Sequence, residues 1–519
     1  MPIRVTDDNS AENNGGLEND QNSDKGNRGR GGMGGFLPII LNLLFKNPKI
    51  GFPLLVIFGL FFFLSKGCGS LLNSEPQKGS YSTGCEMKQE VYAQSDQFAS
   101  LAENYNPLPE SFSLEKFCPP IGNQGSQGSC VAWSSSYAAR SILYNIATGS
   151  NPKNTVFSPS FLYNQIGLEG CQGAYIHNAM QVLEQVGDIS INDFPYDEND
   201  CTRKPGQTML QSAAAYKIKG SNRLSKDANK YEVDLLAIKQ NIAQYAPVVI
   251  GMSVGGSFME MMGQEMWIPT EEDYQKYGFG GHAMCVVGYD DFKEYNGKKV
   301  GAFQIMNSWG PEYGKNGFIW VPYQVFQEFV SEAYGLYPMG KANQEINSKL
   351  KLDFGLVVNN TDEEIKLKKT GDYTYSTSAK VQPGTKFKIK LKNSAECYSY
   401  VFAQETDGSS YTIFPYTKKH SPYCGITGTR VFPKDKFFEP DNIGNKDYFA
   451  IVVSSKPINF AEINSVLSKE RIGTYEQKIV KVLGESLCKE TKFISSEGIS
   501  LEADLENQKL TFVVVEVNK

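Results

Sequence analysis

The sequence predicts an α+β protein, with a membrane anchor before its main globular part and a smaller β-rich domain after it. Three observations carry this prediction: an apolar run near residue 50, helical periodicity after residue 130, and alternating apolar and polar residues beyond residue 343. At 519 residues the chain is long enough for about three domains.

Composition excludes several classes of protein. An apolar fraction of 40% with 12% aromatic residues supports sizeable cores and rules out a wholly disordered chain. A net charge of −6 argues against a nucleic-acid partner, because such proteins neutralise phosphates with an excess of Lys and Arg. Ten cysteines allow a few disulfides and a reactive thiol. Cys and His residues are not clustered, so we expect no metal or other cofactor.

The N-terminal part of the sequence is predicted to be a disordered tail followed by a membrane anchor. Residues 1–35 are rich in Asn, Gly, Asp and Ser, which is typical of a disordered segment. Residues 36–69 form the anchor region, with a span at about 50–66 that contains a 16-residue apolar run. This run is slightly short for a ~30 Å hydrocarbon layer, a gap that snorkelling lysines can close. A cleaved signal peptide is the alternative, but it would begin unusually far from the N-terminus.

Basic residues near the span predict its orientation. More of them precede the span than follow it: Lys25, Arg28, Arg30, Lys46 and Lys49 against Lys66 and Lys78. The tail is therefore expected in the cytoplasm and the body outside, as in a single-pass membrane protein. An exported body lies in an oxidising compartment, where disulfides form.

Shifts in composition divide the rest of the chain. Residues 70–106 predict a polar tether, 107–342 a domain with helices first and strands later, and 343–519 a β-rich domain. Within the last, residues 385–392 alternate apolar residues with lysines, which is the period of a half-buried strand. A bridge between the cysteines at 397 and 424 is one option there, although sequence does not settle connectivity.

A junction between a loop and a helix holds the candidate nucleophile. Cys130 follows the glycine-containing run 123–129, and apolar residues at helical spacing continue to Ala147, where Gly149 closes the helix. The unpaired N–H groups at a helix start favour a thiolate over a thiol. A buried structural cysteine is the alternative interpretation of Cys130.

Two later segments supply candidate partners for this thiol. His282 begins an apolar strand, and Asn307 ends another, followed by Trp309. An imidazole can form an ion pair with a thiolate, and an Asn carboxamide can fix the tautomer and angle of the ring. The adjacent indole can shield that hydrogen bond from water.

These motifs, taken in order over residues 108–337, resemble the papain-like cysteine peptidase family, in particular its bacterial branch. The resemblance implies a fold of two lobes, one helical and one like a β-barrel, and a peptidase that cleaves through an acyl-enzyme. It also implies that Cys130 is the nucleophile, His282 the general base and acid, and Asn307 the orienting residue. Gln124 would donate its side-chain amide to the oxyanion.

The resemblance extends to substrate binding. It implies that the backbone of Gly173 pairs with an extended substrate, and that Ala174 lines the pocket for the residue two before the cut. Trp309, the shielding aromatic, belongs to the same set of substrate-binding residues.

The chain also departs from the family's pattern. Gln127 stands where the family usually has a cysteine, so the resemblance implies that Cys171 pairs with Cys201 instead. A long helical propeptide with patterned charges is missing between the anchor and Pro107. Autoinhibition by the family's usual prodomain is therefore not expected.

The sequence thus predicts a membrane-anchored cysteine endopeptidase that acts on a peptide or protein substrate. Two alternatives remain open: a binding protein that keeps the fold with weak catalysis, and a transpeptidase that uses the same acyl-enzyme. The C-terminal domain resembles a β-rich bacterial domain of unknown function. A protein or cell-wall component is the partner suggested for it.

Overall fold

The computed structural model describes residues 3–7, 81–337 except 228, 230 and 231, and 349–519 except 495–498 and 506–508. We call residues 81–337 the central region and residues 349–519 the C-terminal region. Within these ranges no helix has both the length and the apolar character needed to cross a bilayer. The predicted anchor, residues 36–69, lies outside the described residues.

Helices and one main sheet build the central region. Among the described residues the sheet has seven strands, and its main path runs in the order Gly220–Arg223, Val330–Tyr337, Val248–Val254, Gly280–Asp290, Ala302–Met306 and Phe318–Pro322, with Ser111–Ser113 beside Gly280–Asp290. A separate hairpin joins Glu294–Tyr295 to Lys298–Lys299. The α-helices are Gln89–Tyr92, Cys130–Ala132, Ser141–Thr148, Pro159–Ile166, Ile176–Gln185, Gln207–Ala213, Leu235–Ala243 and Tyr323–Phe329. This arrangement confirms the predicted mixture of helices and sheet.

The helical run that starts at Cys130 is continuous to Thr148. Its middle part, Trp133–Arg140, is a π-helix, and regular α-helix resumes at Ser141–Thr148. Gly149 ends the run with a φ of 67°, a left-handed conformation that glycine adopts without steric cost. The sequence predicted this helix and its glycine stop, but not the wider middle turn.

The described residues of the C-terminal region form two sheets and two α-helices. The first sheet contains the strands Lys349–Val358, Glu364–Ile365, Phe387–Asn393, Gly428–Phe432, Lys436–Pro440, Lys492–Phe493 and Ile499–Asp504. The second contains Leu367–Lys369, Thr374–Thr377, Cys397–Gln404, Ser410–Phe414, Tyr423–Cys424, Lys446–Ser454 and Leu510–Asn518. The helices are Phe460–Lys469 and Tyr475–Leu483. Apolar side chains from both sheets share one buried cluster, as in a sandwich.

A strand near the N-terminus differs from the predicted disordered tail over 1–35. Ile3–Asp7 pairs antiparallel with Lys436–Pro440 and so extends the first sheet of the C-terminal region. An edge strand carries unpaired N–H and C=O groups that accept another strand, and the Ile-Arg-Val-Thr alternation suits that role.

The predicted tether over 70–106 also differs where the structure describes it. Residues 88–106, which we call the strap, lie between the rest of the central region and the C-terminal region. The backbone of Gln97 exchanges hydrogen bonds with Lys419 O and Ser421 N at 2.7 and 2.9 Å. Phe98 and Leu101 are buried, so this part of the tether packs like a core element rather than a polar linker.

Cys171 and Cys201 form a disulfide, as the sequence analysis predicted. Their Cα atoms are 6.0 Å apart, within the usual range for a bridged pair. Cys397 and Cys424 face each other on neighbouring antiparallel strands but are free thiols. The bridge considered for that pair is therefore not formed.

We expect the variant Cys201→Ser to lose ~2–4 kcal/mol of unfolding free energy, because the bridge no longer restricts the unfolded chain. The two cysteines are 30 residues apart in sequence. Urea denaturation measures the difference, with Cys118→Ser, which removes a free thiol, as the control. Identical curves for the parent with and without dithiothreitol would contradict a stabilising role for the bridge.

Candidate active site

The sulfur of Cys130 lies at the base of a closed groove. Cys130 is 0% exposed, and the backbone N–H of Ala283 donates to its Sγ at 3.4 Å. Burial raises the pKa of this thiol to about 12, and the backbone N–H groups of Ala283, Val131 and Cys130 oppose that rise only in part. The helix start was expected to favour a thiolate, but desolvation outweighs it in this closed arrangement.

His282 is held between an amide and an indole. Its Nε2 is 2.8 Å from Oδ1 of Asn307, and the Trp309 ring stacks on the imidazole with centroids 4.2 Å apart. Burial lowers the pKa of His282 to about 4, although the bond to Asn307 favours the protonated ring. With Nε2 engaged by Asn307, Nδ1 has no hydrogen-bond partner within the described residues. Nδ1 is therefore the ring nitrogen left free to accept a proton.

Gln124 is fixed at both ends of its side-chain amide. Its Oε1 accepts a hydrogen bond from the Ser308 hydroxyl at 2.7 Å, and its Nε2 donates to Gln127 O at 2.9 Å. Ser308 directly follows Asn307, so one short stretch orients both the imidazole and the amide. The sequence analysis missed Ser308; its place between Asn307 and Trp309 was the available signal.

The chain itself covers this groove with residues 81–87, which we call the covering segment. The carbonyl of Ser82 accepts hydrogen bonds from Gln124 Nε2 at 3.1 Å and from Trp309 Nε1 at 2.9 Å. The N–H groups of Gly84 and Cys85 both donate to Gly281 O, at 3.0 and 2.9 Å. A carbonyl of the chain thus already occupies the amide donor that was predicted to bind an oxyanion.

Ala174 supplies the backbone pairing on the opposite wall. Its N–H donates to Gly84 O at 2.9 Å, and its carbonyl accepts from Glu86 N at 3.0 Å. Gly173, to which the sequence analysis assigned this pairing, bonds instead to Leu168 N and the Tyr163 hydroxyl. The covering segment thus pairs with Ala174, because Gly173 is used to close its own loop. That Gly173 pairs with a substrate stays a prediction.

Gly84 makes the close approach of the covering segment possible. A Cβ at this position would lie 2.2 Å from the backbone oxygen of Gly128, far inside van der Waals contact. No L side chain fits there unless the segment moves. Gly128 belongs to the loop directly before Cys130, and we expect the covering segment to be the part that gives way.

The structure brings together the four residues predicted from separate motifs, Cys130, His282, Asn307 and Gln124, with Trp309 beside them. The covering segment was not foreseen, and only the pair Gly84–Cys85 in a polar stretch could have hinted at it. Across the part of the chain that the structure describes, no group of three or more His, Cys, Asp or Glu residues could hold a metal ion.

Residues 108–339 match the model of the family described as "Papain family cysteine protease". Cathepsin B-like CP2 of Giardia intestinalis is 27% identical over 228 residues, which cover 41% of this chain and 68% of that protein. Cathepsin K of Mus musculus is 28% identical over 218 residues, which cover 41% of this chain and 59% of that protein. The chain thus spans about two thirds or less of the length of these curated relatives.

Among solved structures, Xylellain, a cysteine protease from Xylella fastidiosa, is similar with a TM-score of 0.40 and 24% identity. The similarity covers 50% of this chain and 96% of that one. The family match over residues 108–339, together with the curated relatives, supports a papain-family cysteine peptidase domain and a cysteine-type peptidase.

We expect Gly84→Val in the full chain to expel the covering segment and make Cys130 reactive. With a thiol pKa of about 12, only about one molecule in ten thousand carries the thiolate at pH 8. Hydration of the opened groove lowers that pKa, so the thiolate fraction at a given pH rises. Iodoacetamide labelling, mapped by peptide mass spectrometry, should be at least ~10-fold faster at Cys130.

The control for this prediction is Gly206→Val, because a side chain at Gly206 meets nothing within 4 Å. It should label at the parent's rate. Equal labelling of Cys130 in all three proteins would show that the covering segment does not limit access to the sulfur.

Proposed function

We propose that this chain is a cysteine peptidase that cleaves peptide bonds with the thiolate of Cys130, oriented by His282 and Asn307. The observation that carries the proposal is the hydrogen bond between His282 Nε2 and Asn307 Oδ1. The next residue on the same strand, Ala283, donates its backbone N–H to the Cys130 sulfur. A donor amide on Gln124 lies in the same groove. On this proposal residues 107–342 are the peptidase domain and 343–519 a separate β-rich domain.

The reaction requires the covering segment to leave first. With the groove hydrated, the Cys130 proton passes to His282 Nδ1, and the charged pair stabilises itself. The thiolate then attacks the substrate carbonyl carbon and forms a tetrahedral oxyanion. Gln124 Nε2, freed from Ser82 O, and the backbone N–H of Cys130 donate to this oxyanion, each worth ~3 kcal/mol.

Collapse of the tetrahedral species breaks the C–N bond. The His282 imidazolium gives its proton to the leaving amine, and the acyl group stays on Cys130 as a thioester. Water, deprotonated by His282, then attacks the thioester and releases the acid and the free thiol. Asn307 holds the ring in one tautomer through both halves, and Trp309 covers that hydrogen bond.

The backbone of Ala174 is the proposed partner for an extended substrate. Its N–H and C=O both point at the covering segment and become free when the segment leaves. Trp309 and the Ala174 methyl are the further substrate-binding groups of this proposal, and Gly173 closes the loop that presents Ala174. A peptide or protein substrate fits this strand-like pairing.

In the Gly84→Val chain we expect hydrolysis of a fluorogenic peptide amide that is lost in Cys130→Ala and His282→Ala. Gln124→Ala should lower kcat by about 10²–10³-fold, because one oxyanion donor is removed. Gln207→Ala, on an exposed helix start, is the matched control and should keep the parent's kcat. An epoxide thiol reagent should form its adduct on Cys130, as mass spectrometry can map.

This experiment also separates the alternatives. A protein that binds without turnover would take up peptide but show neither hydrolysis nor the adduct on Cys130. A transpeptidase would transfer the acyl group to an added amine in preference to water, which chromatography of the products detects.

We also propose membrane attachment through the apolar span at about 50–66, with the body on the periplasmic or extracellular side. The apolar run and the excess of Lys and Arg before it support this. A single span would separate the tail from the body, whereas the strand Ile3–Asp7 pairs with Lys436–Pro440. A single span and this strand pairing cannot both be present in one membrane-inserted molecule. The C-terminal region is the proposed site for a protein or cell-wall partner.

We expect the full chain to sediment with membranes and to dissolve in detergent but not in high salt, and deletion of 36–69 to release it. Labelling of Ser10→Cys by an impermeant maleimide then fixes the side of the tail. Protection in intact cells supports a single span, and labelling supports pairing with Lys436–Pro440. A chain found in the soluble fraction with residues 36–69 intact would refute the anchor.

A further inference from the structure

The loop that precedes Cys130 is held by a hydroxyl group from outside it. This loop, residues 123–129, contains no cysteine, so hydrogen bonds rather than a disulfide must fix it. The hydroxyl of Tyr196 lies 2.7 Å from Gln124 O and 2.7 Å from Ser129 Oγ. One side chain thus contacts the loop near both of its ends.

The direction of these two hydrogen bonds follows from the groups involved. A tyrosine hydroxyl has one hydrogen to donate, and a backbone carbonyl can only accept. Tyr196 therefore donates to Gln124 O, and the Ser129 hydroxyl donates to the Tyr196 oxygen. Gln127 Oε1, at 3.3 Å, is the more distant acceptor. Burial raises the pKa of Tyr196 to about 12, so the hydroxyl keeps its hydrogen throughout the neutral range.

The two ends of this loop carry the two groups proposed to stabilise the oxyanion. Gln124 supplies its side-chain amide, and Ser129 directly precedes Cys130, whose backbone N–H is the second donor. Such donors act only when they lie about 2.7–3.1 Å from the developing charge, and a shift of ~1 Å can cost about 10²-fold in rate. The Tyr196 hydroxyl is bonded at both ends and so sets the separation of the two donors.

Tyr196 is itself held in place by its surroundings. Its ring packs edge-on against Trp133, in the helical run after the loop, with centroids 4.9 Å apart. Two residues later, the carboxylate of Glu198 accepts a hydrogen bond from Ser126 N at 2.5 Å. Cys201, five residues after Tyr196, carries the disulfide described above. The hydroxyl is thus presented by a segment that is fixed independently of the 123–129 loop.

We propose that Tyr196 is a positioning residue for the oxyanion site, where its hydroxyl aligns the Gln124 amide with the Cys130 N–H. This inference deepens the proposed peptidase function and rests on it. Without the hydroxyl, Gln124 O and the Ser129 hydroxyl lose their shared partner, and the loop gains freedom that separates the two donors. Tyr196 acts through this loop and not on the substrate.

The test uses the full chain carrying Gly84→Val, to which Tyr196→Phe is added. Phenylalanine keeps the ring against Trp133 and removes only the hydroxyl. With a fluorogenic peptide amide, kcat should fall about 10- to 100-fold and KM should stay within about twofold, because the donors act in the transition state. Tyr289→Phe is the matched control: it removes a hydroxyl bonded to a carbonyl outside the loop, Pro109 O at 2.9 Å, and should keep the parent's kcat.

Two reagents that attack the same sulfur separate positioning from a general structural effect. A peptide nitrile adds to Cys130: the S–C bond forms, the thiol proton passes to the nitrile nitrogen, and this nitrogen accepts from the oxyanion donors. Iodoacetamide alkylates the sulfur by displacing iodide and forms no group that needs those donors. In Tyr196→Phe we expect nitrile affinity to fall about 10-fold while the rate of iodoacetamide labelling stays within about twofold.

Ser129→Ala is a second variant that removes the other partner of the hydroxyl. It should lower kcat and nitrile affinity in the same direction. In the double variant the two effects should be less than additive, because Tyr196→Phe and Ser129→Ala break the same contact.

The outcomes are distinguishable. Loss of kcat and nitrile affinity with unchanged labelling, in Tyr196→Phe but not in Tyr289→Phe, supports the inference. Unchanged kcat and nitrile affinity, or an equal loss of labelling and kcat, overturns it and leaves the peptidase proposal intact. If Tyr196→Phe does not fold, Ser129→Ala decides by the same criteria. No hydrolysis and no nitrile adduct on Cys130 in the Gly84→Val chain overturns the peptidase proposal and this inference with it.

Discussion

The strand Gly280–Asp290 is the constraint on which the rest of the groove depends. Through its backbone it pairs with the strands on both sides: Gly251 lies opposite Ala283, and Met306, directly before Asn307, lies opposite Cys285. One of its N–H groups, that of Ala283, contacts the Cys130 sulfur, and a carbonyl, that of Gly281, accepts two bonds from the covering segment. This strand thus positions the Cys130 sulfur, the His282 imidazole and the covering segment relative to one another.

The residues that the structure gathers in the groove could be picked out from sequence because each lies in a short motif whose local structure is determined by its neighbours in the chain. Glycines before Cys130 predict a loop, the apolar periodicity after it predicts a helix, and His282 and Asn307 lie at the ends of apolar runs. The alternation at 385–392 corresponds to the strand Phe387–Asn393, whose apolar side chains are buried. In each case a pattern within a few neighbouring residues is enough to predict the local structure.

The features that the sequence left out depend on contacts between distant residues. The covering segment is polar and short, and nothing within it indicates that its backbone pairs with Ala174 and Gly281. Gly173 and Ala174 are neighbours in sequence, and either could pair with an extended chain. Gly173 makes hydrogen bonds within its own loop, so Ala174 is the one that pairs with the covering segment. The protonation states of the thiol and the imidazole follow from burial, which is a property of the closed groove and not of either motif.

The strap limits how far the covering segment can move away from the groove. Backbone bonds from Gln97 to Lys419 and Ser421, and from Ala102 to Thr429, fasten the chain ten or more residues beyond the covering segment. When the segment leaves the groove it stays attached to that fixed point, and so acts as an intramolecular competitor at an effective concentration on the order of millimolar. Dilution of the protein does not weaken such a competitor. On the proposed function, a peptide substrate must outcompete it locally.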